Sequence, residues 1–153
     1  MAFYIVQHGL SLPKDQDSEK GLAPQGMEDV KRIAEVARNY GVLVERILHS
    51  GKKRARQTAE LIGEALQPAQ GIKMISGIKP LDDMAEFASQ VDFKANTMVV
   101  GHLPFLERLT SFLITGQKEP IVFKLQNGGI LCLDRIEGQD IPAIKWALMP
   151  RVG

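Results

Sequence analysis

Two histidines stand where an apolar run of the sequence gives way to polar residues, and each has a glycine beside it. His8 precedes Gly9 after the apolar run 3–6, and His102 follows the apolar run 97–100. An imidazole can act as a nucleophile, as a general acid or base, or as a metal ligand. Because ligands of open α/β sheets bind at the carboxyl ends of the strands, both histidines are predicted to share one site.

A basic segment in the middle of the chain adds a group that can bind an anion. Ser50 is predicted to cap a helix of residues 52–66, and Arg54 lies within the first turn of that helix. Helix amino termini favour anions, and a guanidinium group binds phosphate oxygens in a bidentate way. Arg54 is therefore predicted to bind phosphate at the same sheet edge. The neighbouring basic residues are expected to form a solvated face: Lys52, Lys53 and Arg56.

Other kinds of site fit the sequence less well. The third histidine, His49, ends a predicted strand without a glycine beside it, which favours a structural role. Two histidines with Asp82 or Asp83 could form a metal site, but no closely spaced ligand pair is present. Residues 51–53 lack the upstream glycine spacing of a phosphate-binding loop. We therefore predict no metal and no cofactor.

Strands and helices are predicted to alternate along the first two thirds of the chain. Apolar runs predict strands at residues 3–6, 46–49, 72–75 and 97–100. Helical spacing predicts helices at residues 24–40, 52–66 and 81–91, and another that begins near residue 103. Three more strands, at 121–125, 129–136 and 143–149, are joined by turns at 127–128 and 137–138. The predicted fold class is α/β, a three-layer αβα sandwich with a mainly parallel central sheet and antiparallel carboxyl-terminal strands.

Length and composition restrict the class of protein. The 153 residues fit one domain, predicted to span 1–153, and the net charge of +1 predicts no binding to nucleic acid or to membrane. The single cysteine, Cys132, excludes an internal disulfide bond and is expected to pack in the core. The sequence contains no signal peptide pattern and no apolar run of bilayer length, so a cytoplasmic location is expected.

Four segments, in order, resemble motifs of the histidine phosphatase superfamily, which is also called phosphoglycerate mutase-like. Gln7-His8-Gly9 resembles Arg-His-Gly, and residues 22–26 resemble Leu-Thr-x-x-Gly. Residues 50–58 resemble Ser-x-x-x-Arg-Ala-x-Gln-Thr, and residues 100–102 resemble the strand that carries the second family histidine. The small size and the lack of an inserted lid are similar to the SixA-type phosphohistidine phosphatases. The resemblance implies a phosphoglycerate mutase-like fold.

The same resemblance implies a role for each site residue. His8 would be the nucleophile and would form a phosphohistidine intermediate, which water then hydrolyses. Arg54 and His102 would act with it by binding the phosphoryl oxygens, where charge must be stabilised during transfer. The predicted phosphate ligands are Gln7, Gly9, Ser11, Arg54 and His102.

One residue departs from the family pattern. Gln7 stands where the family has an arginine, so the charge and the forked donor are missing. A hydrogen bond to a charged group contributes roughly 1.5–3 kcal/mol, and its loss from the transition state would slow the reaction by about 10- to 150-fold. A catalytically weakened module that binds phosphate or a phosphorylated protein is therefore an alternative to a working enzyme.

The favoured substrate is protein phosphohistidine. A phosphoramidate leaves readily once its nitrogen is protonated, so it demands less from a general acid than an alkoxide does. The chain has no lid, and Asp82 and Asp83 match the acidic residue of larger relatives poorly. The expected partner is a phosphorylated protein, such as a phosphohistidine signalling domain, and a small phosphorylated metabolite is the alternative substrate.

Overall fold

A six-stranded sheet forms the centre of residues 1–152, which are the residues that this computed structural model describes. Gly153, the last residue of the predicted domain, lies outside them. The strands are β1 (Ala2–Gln7), β2 (Arg46–His49), β3 (Ile72–Met74), β4 (Thr97–Gly101), β5 (Ile130–Arg135) and β6 (Pro142–Leu148). Their order in the sheet is β3-β2-β4-β1-β5-β6. The first four strands run parallel, and β5 and β6 each pair in antiparallel fashion, which confirms the predicted sheet.

Helices cover both faces of this sheet. They are α1 (Pro24–Asn39), α2 (Lys53–Leu66), α3 (Met84–Ala88) and α4 (Phe105–Thr115), with a short 3₁₀ turn at Phe93–Ala95. Side chains alternate along β1, so Tyr4 and Val6 pack with α1 and α2, whereas Phe3 and Ile5 pack with α3 and α4. The two cores that result make the three layers that the sequence predicts.

The central strand, β1, brings the two glycine-flanked histidines together. Its six residues are all buried between β4 and β5, as expected for an apolar run in the middle of a sheet. Gln7 is in register with Gly101 of β4, and the backbone N–H of His8 donates to the Gly101 carbonyl at 3.0 Å. Because both strands end at this register, His8 and His102 leave the sheet side by side.

Two predicted elements are wrong or shorter than expected. Residues 121–125 form no strand, because β5 occupies the edge of β1 on this side of the sheet. The segment lies instead against α4, where the Val122 N–H donates to the Ser111 hydroxyl and not to a neighbouring strand. The helix predicted at 81–91 is limited to Met84–Ala88 and begins where the Asp83 carboxylate accepts from the Ala85 N–H at 3.0 Å.

The single cysteine packs in the core as predicted. Cys132 lies on β5, in register with Tyr4 of β1, and its side chain is buried. Burial raises the pKa of its thiol to about 11, so the reactive thiolate is scarce at neutral pH. No helix among the described residues combines the length and the apolar composition that crossing a bilayer requires.

Candidate active site

The side chains of His8 and His102 meet at the carboxyl edge of the sheet. Their ring centroids are 5.1 Å apart, and the Arg54 Nε atom lies 3.3 Å from His8 Nε2. Each hydrogen bond spans about 3 Å, so one phosphate-sized group can touch all three side chains. The predicted convergence of these three residues is therefore confirmed.

Hydrogen bonds fix the orientation and the protonation of the His8 ring. Its Nδ1 atom lies 2.7 Å from the Gly9 carbonyl oxygen, which can only accept, so Nδ1 carries the proton. Nε2 is then the unprotonated nitrogen, and the Arg54 guanidinium donates to it. The Asn127 amide donates to the His8 carbonyl at 2.9 Å and holds the backbone of the same residue. The arrangement presents an imidazole lone pair beside a positive charge.

Both histidines are neutral at neutral pH. Burial lowers the pKa of His8 to about 4; the Gly9 carbonyl opposes this shift, and the charges of Arg54 and Lys20 add to it. Burial also lowers the pKa of His102 to about 3, with smaller contributions from His8, Arg54 and the lysines nearby. A neutral imidazole can attack phosphorus, whereas an imidazolium ion has no free lone pair.

The second histidine is almost completely enclosed. His102 is 2% exposed, and its Nε2 lies 2.6 Å from the hydroxyl oxygen of Ser50. Its Nδ1 has no hydrogen-bond partner among residues 1–152. Ser50 was predicted to cap α2, but the residue at the cap position is Lys52, and the Ser50 hydroxyl lies 3.4 Å from its N–H. The serine therefore orients a site residue, and the predicted capping role is wrong.

A buried threonine on α2 joins Arg54 to the segment that carries His8. The Thr58 hydroxyl donates to the Arg54 carbonyl at 2.7 Å and accepts from the Gly9 N–H at 2.9 Å. Gly9 also packs so closely that an added Cβ would lie 2.9 Å from a Val30 methyl group. The Gly9 N–H is thus engaged with α2, and its carbonyl with His8, so its contacts in this structure orient His8.

Two other predicted phosphate ligands lie apart from this cluster. The Ser11 backbone forms an isolated bridge with Leu22, and its hydroxyl makes no hydrogen bond to other residues in the range 1–152. Gln7 is buried, and its Oε1 atom has no partner in the described part of the chain. Gln7 is among the residues that line a cavity of about 580 Å³, together with Leu103 and Asn127. In the described part of the chain, the Gln7 side chain forms no hydrogen bond with His8, Arg54 or His102.

The acidic candidates for a general acid are bound to nearby backbone. Asp82 accepts from the Lys79 N–H at 2.8 Å, and Asp83 caps α3. His49 has the structural role that the sequence predicts, since its Nδ1 accepts from the Gly51 N–H at 3.1 Å. Residues 1–152 contain no cluster of three or more His, Cys, Asp or Glu that could hold a metal ion.

A basic cavity of about 410 Å³ opens beside Arg54. Its lining residues are Lys14, Ser18, Glu19, Lys20, Gly51, Lys52, Lys53 and Arg54. Lys52 and Arg56 are exposed, as predicted for a solvated face. The prediction is wrong for Lys53, which is half-buried and forms an ion pair with Asp17 at 2.9 Å.

The sheet and its helices have the arrangement of the histidine phosphatase fold, with a pair of histidines beside an arginine at the carboxyl edge of the sheet. Structural comparison agrees: the SixA protein histidine phosphatase complexed with tungstate superposes with a TM-score of 0.80, at 23% identity, over 98% of this chain and 97% of that one. A SixA-like protein of Agrobacterium tumefaciens gives 0.77 at 21% identity, over 97% of each chain.

Sequence comparison narrows the relationship. Over 127 residues, or 79% of each chain, this protein is 26% identical to phosphohistidine phosphatase SixA of Escherichia coli. It is 28% identical to an uncharacterized protein of Picosynechococcus over 126 residues, which are 76% of this chain and 75% of the relative. No family model matches the chain. The chain is thus similar to SixA phosphohistidine phosphatases in sequence and in structure, and it has the fold of the histidine phosphatase superfamily.

Proposed function

We propose that this protein is a phosphatase that hydrolyses protein phosphohistidine through a covalent intermediate on His8. The observation that carries the proposal is the hydrogen bond from His8 Nδ1 to the Gly9 carbonyl, which leaves Nε2 unprotonated and 3.3 Å from Arg54. The name of the Escherichia coli relative, phosphohistidine phosphatase, supports the activity and the substrate. The tungstate complex of a SixA protein supports an anion site in the same fold.

The reaction has two displacement steps. In the first, the His8 Nε2 lone pair forms a bond to phosphorus while the bond from phosphorus to the substrate imidazole nitrogen breaks. The substrate ring, which has taken a proton from solvent on its other nitrogen, leaves as a neutral imidazole. In the second, a water oxygen attacks phosphorus, the bond to His8 breaks, and inorganic phosphate forms. Arg54 and His102 stabilise the charge on the phosphoryl oxygens in both steps.

The polar groups around the site support a phosphoramidate substrate. Asp82 and Asp83 already accept hydrogen bonds from backbone N–H groups, so no free carboxylic acid is available there for an alkoxide leaving group. An imidazole leaving group needs less help, since its nitrogen accepts a proton readily.

A binding module without turnover is the second candidate. The observation in its favour is that Gln7 is uncharged and makes no polar contact with His8, Arg54 or His102 in the range 1–152. Such a module would hold the phosphoryl group at Arg54 and His102, but it would transfer none of it to His8.

Incubation with a small phosphoramidate distinguishes the two candidates. The enzyme should become labelled at His8, as read by mass spectrometry after a rapid quench, and should release phosphate in further turnovers. Binding without any label at His8 would support the module instead. Faster hydrolysis of a phosphosugar than of a phosphohistidine protein, at equal concentration, would contradict the proposed substrate.

A further inference from the structure

Lys20 combines two properties that the other lysines of the basic cavity do not share. It is half-buried, whereas Lys14 and Lys52 are exposed. It forms no ion pair within residues 1–152, whereas the half-buried Lys53 pairs with Asp17. Lys20 is therefore a half-buried cation at the cavity beside Arg54 whose charge no carboxylate of residues 1–152 matches, and such a cation can bind an anionic ligand.

The backbone holds Lys20 in a conformation that side chains rarely adopt. Its φ angle is +52°, in the left-handed region. The Lys20 N–H donates to the Asp17 carbonyl at 2.9 Å, and the Asp17 carboxylate accepts from the Gly21 N–H and the Lys53 ammonium, both at 2.9 Å. Because Lys53 is next to Arg54 on α2, this turn fixes Lys20 relative to the guanidinium. Backbone strain of this kind is concentrated at functional sites.

The charge of Lys20 acts on the space between the two histidines. It lowers the pKa of His8 and of His102, as Arg54 does. Lys52 affects only His102 in this way, and the charge of Lys53 is matched by Asp17. After Arg54, Lys20 is therefore the cation within residues 1–152 whose field reaches both rings.

We propose that the Lys20 ammonium binds the phosphoryl group of the substrate and supplies the second positive charge, which the family pattern assigns to position 7. The inference rests on the proposed function, since it assigns Lys20 to the same phosphoryl site. It gives the loop 11–21 a part in binding, and it explains how a chain with an uncharged Gln7 can hold a dianion.

Tungstate binding and His8 labelling test this role in Lys20→Met, Lys20→Arg and the control Lys14→Met. Lys20→Met should weaken tungstate binding and slow labelling by about tenfold or more, as expected for one charged hydrogen bond. Lys20→Arg should retain most of both, and Lys14→Met should change neither. The pKa of His8, followed by NMR, should rise in Lys20→Met, because the charge that lowers it has been removed.

A double variant tests whether Lys20 and position 7 supply equivalent charges. The loss caused by Lys20→Met should be smaller in a Gln7→Arg background than in the natural chain, since the added guanidinium replaces the ammonium. If Lys20→Met perturbs the turn, as measured by circular dichroism, Lys20→Asn replaces it, because asparagine tolerates the left-handed region.

The outcomes separate this inference from the proposed function. Tungstate affinity that depends on Lys20, in a protein that never labels at His8, would support the binding role and overturn the phosphatase. Normal labelling with tungstate affinity unchanged in Lys20→Met would overturn the role of Lys20 alone. Equal losses in Lys20→Met and Lys14→Met would also overturn it, since they would indicate only the general charge of the cavity.

Discussion

The two sides of the site around His8 differ in how they are built. On the α2 side, Ser50, Arg54 and Thr58 contact His102, His8 and Gly9 through polar atoms. On the strand side, Gln7 lies at a different cavity, and its Oε1 has no partner in the described residues. One helix and the loop bound to it therefore orient the histidines and deliver the charge. Changes on the α2 side should therefore disable the site, and changes at Gln7 should only adjust it.

The largest effect should come from the residue between the two sides. His8→Ala removes the nitrogen that forms the covalent intermediate, so turnover should fall by at least about a thousandfold. His49→Gln is the matched control, since the one hydrogen bond to the His49 ring within residues 1–152 comes from the Gly51 N–H. Single-turnover phosphate release measures both. Comparable rates in His8→Ala and in the natural chain would mean that the two sides do not surround a nucleophile.

Arg54→Ala and Gln7→Ala compare the two sides directly. Loss of a preorganised donor to the transition state typically slows a reaction by about 100- to 1,000-fold, and Arg54→Ala should show a loss of this size. Gln7→Ala should change the rate by less than about tenfold, because no charged hydrogen bond is removed. Thermal unfolding controls for stability in both. Equal losses in the two variants would contradict a site that depends on α2.

The sequence predicts the parts of this site that depend on position along a strand. His8 and His102 follow buried runs, and a parallel pair of strands must bring such ends together. The apolar segment 121–125 shows the limit of such patterns, since nothing local reveals that β5 will take the edge of β1. The pattern of apolar residues names the candidates for a sheet position, but long-range packing chooses among them.

Side-chain contacts that cross the fold could not be predicted in the same way. Ser50 has the correct spacing for a helix cap, but His102, 52 residues away, binds its hydroxyl. Asn127 was expected only to form a turn, and its amide also holds the His8 carbonyl. No sequence pattern predicts a role for Lys20, because its left-handed backbone conformation depends on the hydrogen bonds of Asp17.

Gln7→Arg adds a positive charge to the strand side of the site. A guanidinium at this position should raise the single-turnover rate by up to about 10- to 150-fold, the value of one charged hydrogen bond. The gain should be smaller where the ammonium of Lys20 already neutralises the phosphoryl group. Gln7→Met, of similar length and uncharged, is the control. Tighter tungstate binding with no phosphate release would support the binding module.

The smallest change is a shift in pH dependence. The neutral form of His8 is the reactive one, and its pKa is about 4, so the rate should stay constant from pH 7 to pH 5 and fall only as the pH drops through about 4. An ordinary histidine would lose activity near pH 6.5. Arg54→Ala should move the midpoint upward, because the Arg54 charge lowers this pKa, whereas Gln7→Ala should not move it. Rates corrected for spontaneous hydrolysis, measured from pH 3 to 8, check this.

The same shifts affect the stability of the fold. The unfolded chain binds protons at its histidines near pH 6.5, whereas the folded protein resists protonation of His8 until about 4 and of His102 until about 3. The free energy of unfolding should therefore decrease as the pH falls from 6.5 toward 4. Urea titrations at several pH values measure this decrease. The decrease should be smaller in His8→Ala, because only the contribution of His102 remains.

The single thiol provides a measure of structural integrity in every variant. Cys132 lies on β5 between β1 and β6, and its side chain is buried in the core shared with α1 and α2, so an alkylating reagent can reach it only when the fold opens locally. Its rate of alkylation under native conditions therefore reports opening of this core and does not depend on phosphate. If a variant loses phosphatase activity at an unchanged alkylation rate, the substitution has altered the site and not the fold. If the variant is alkylated faster, the substitution has destabilised the fold.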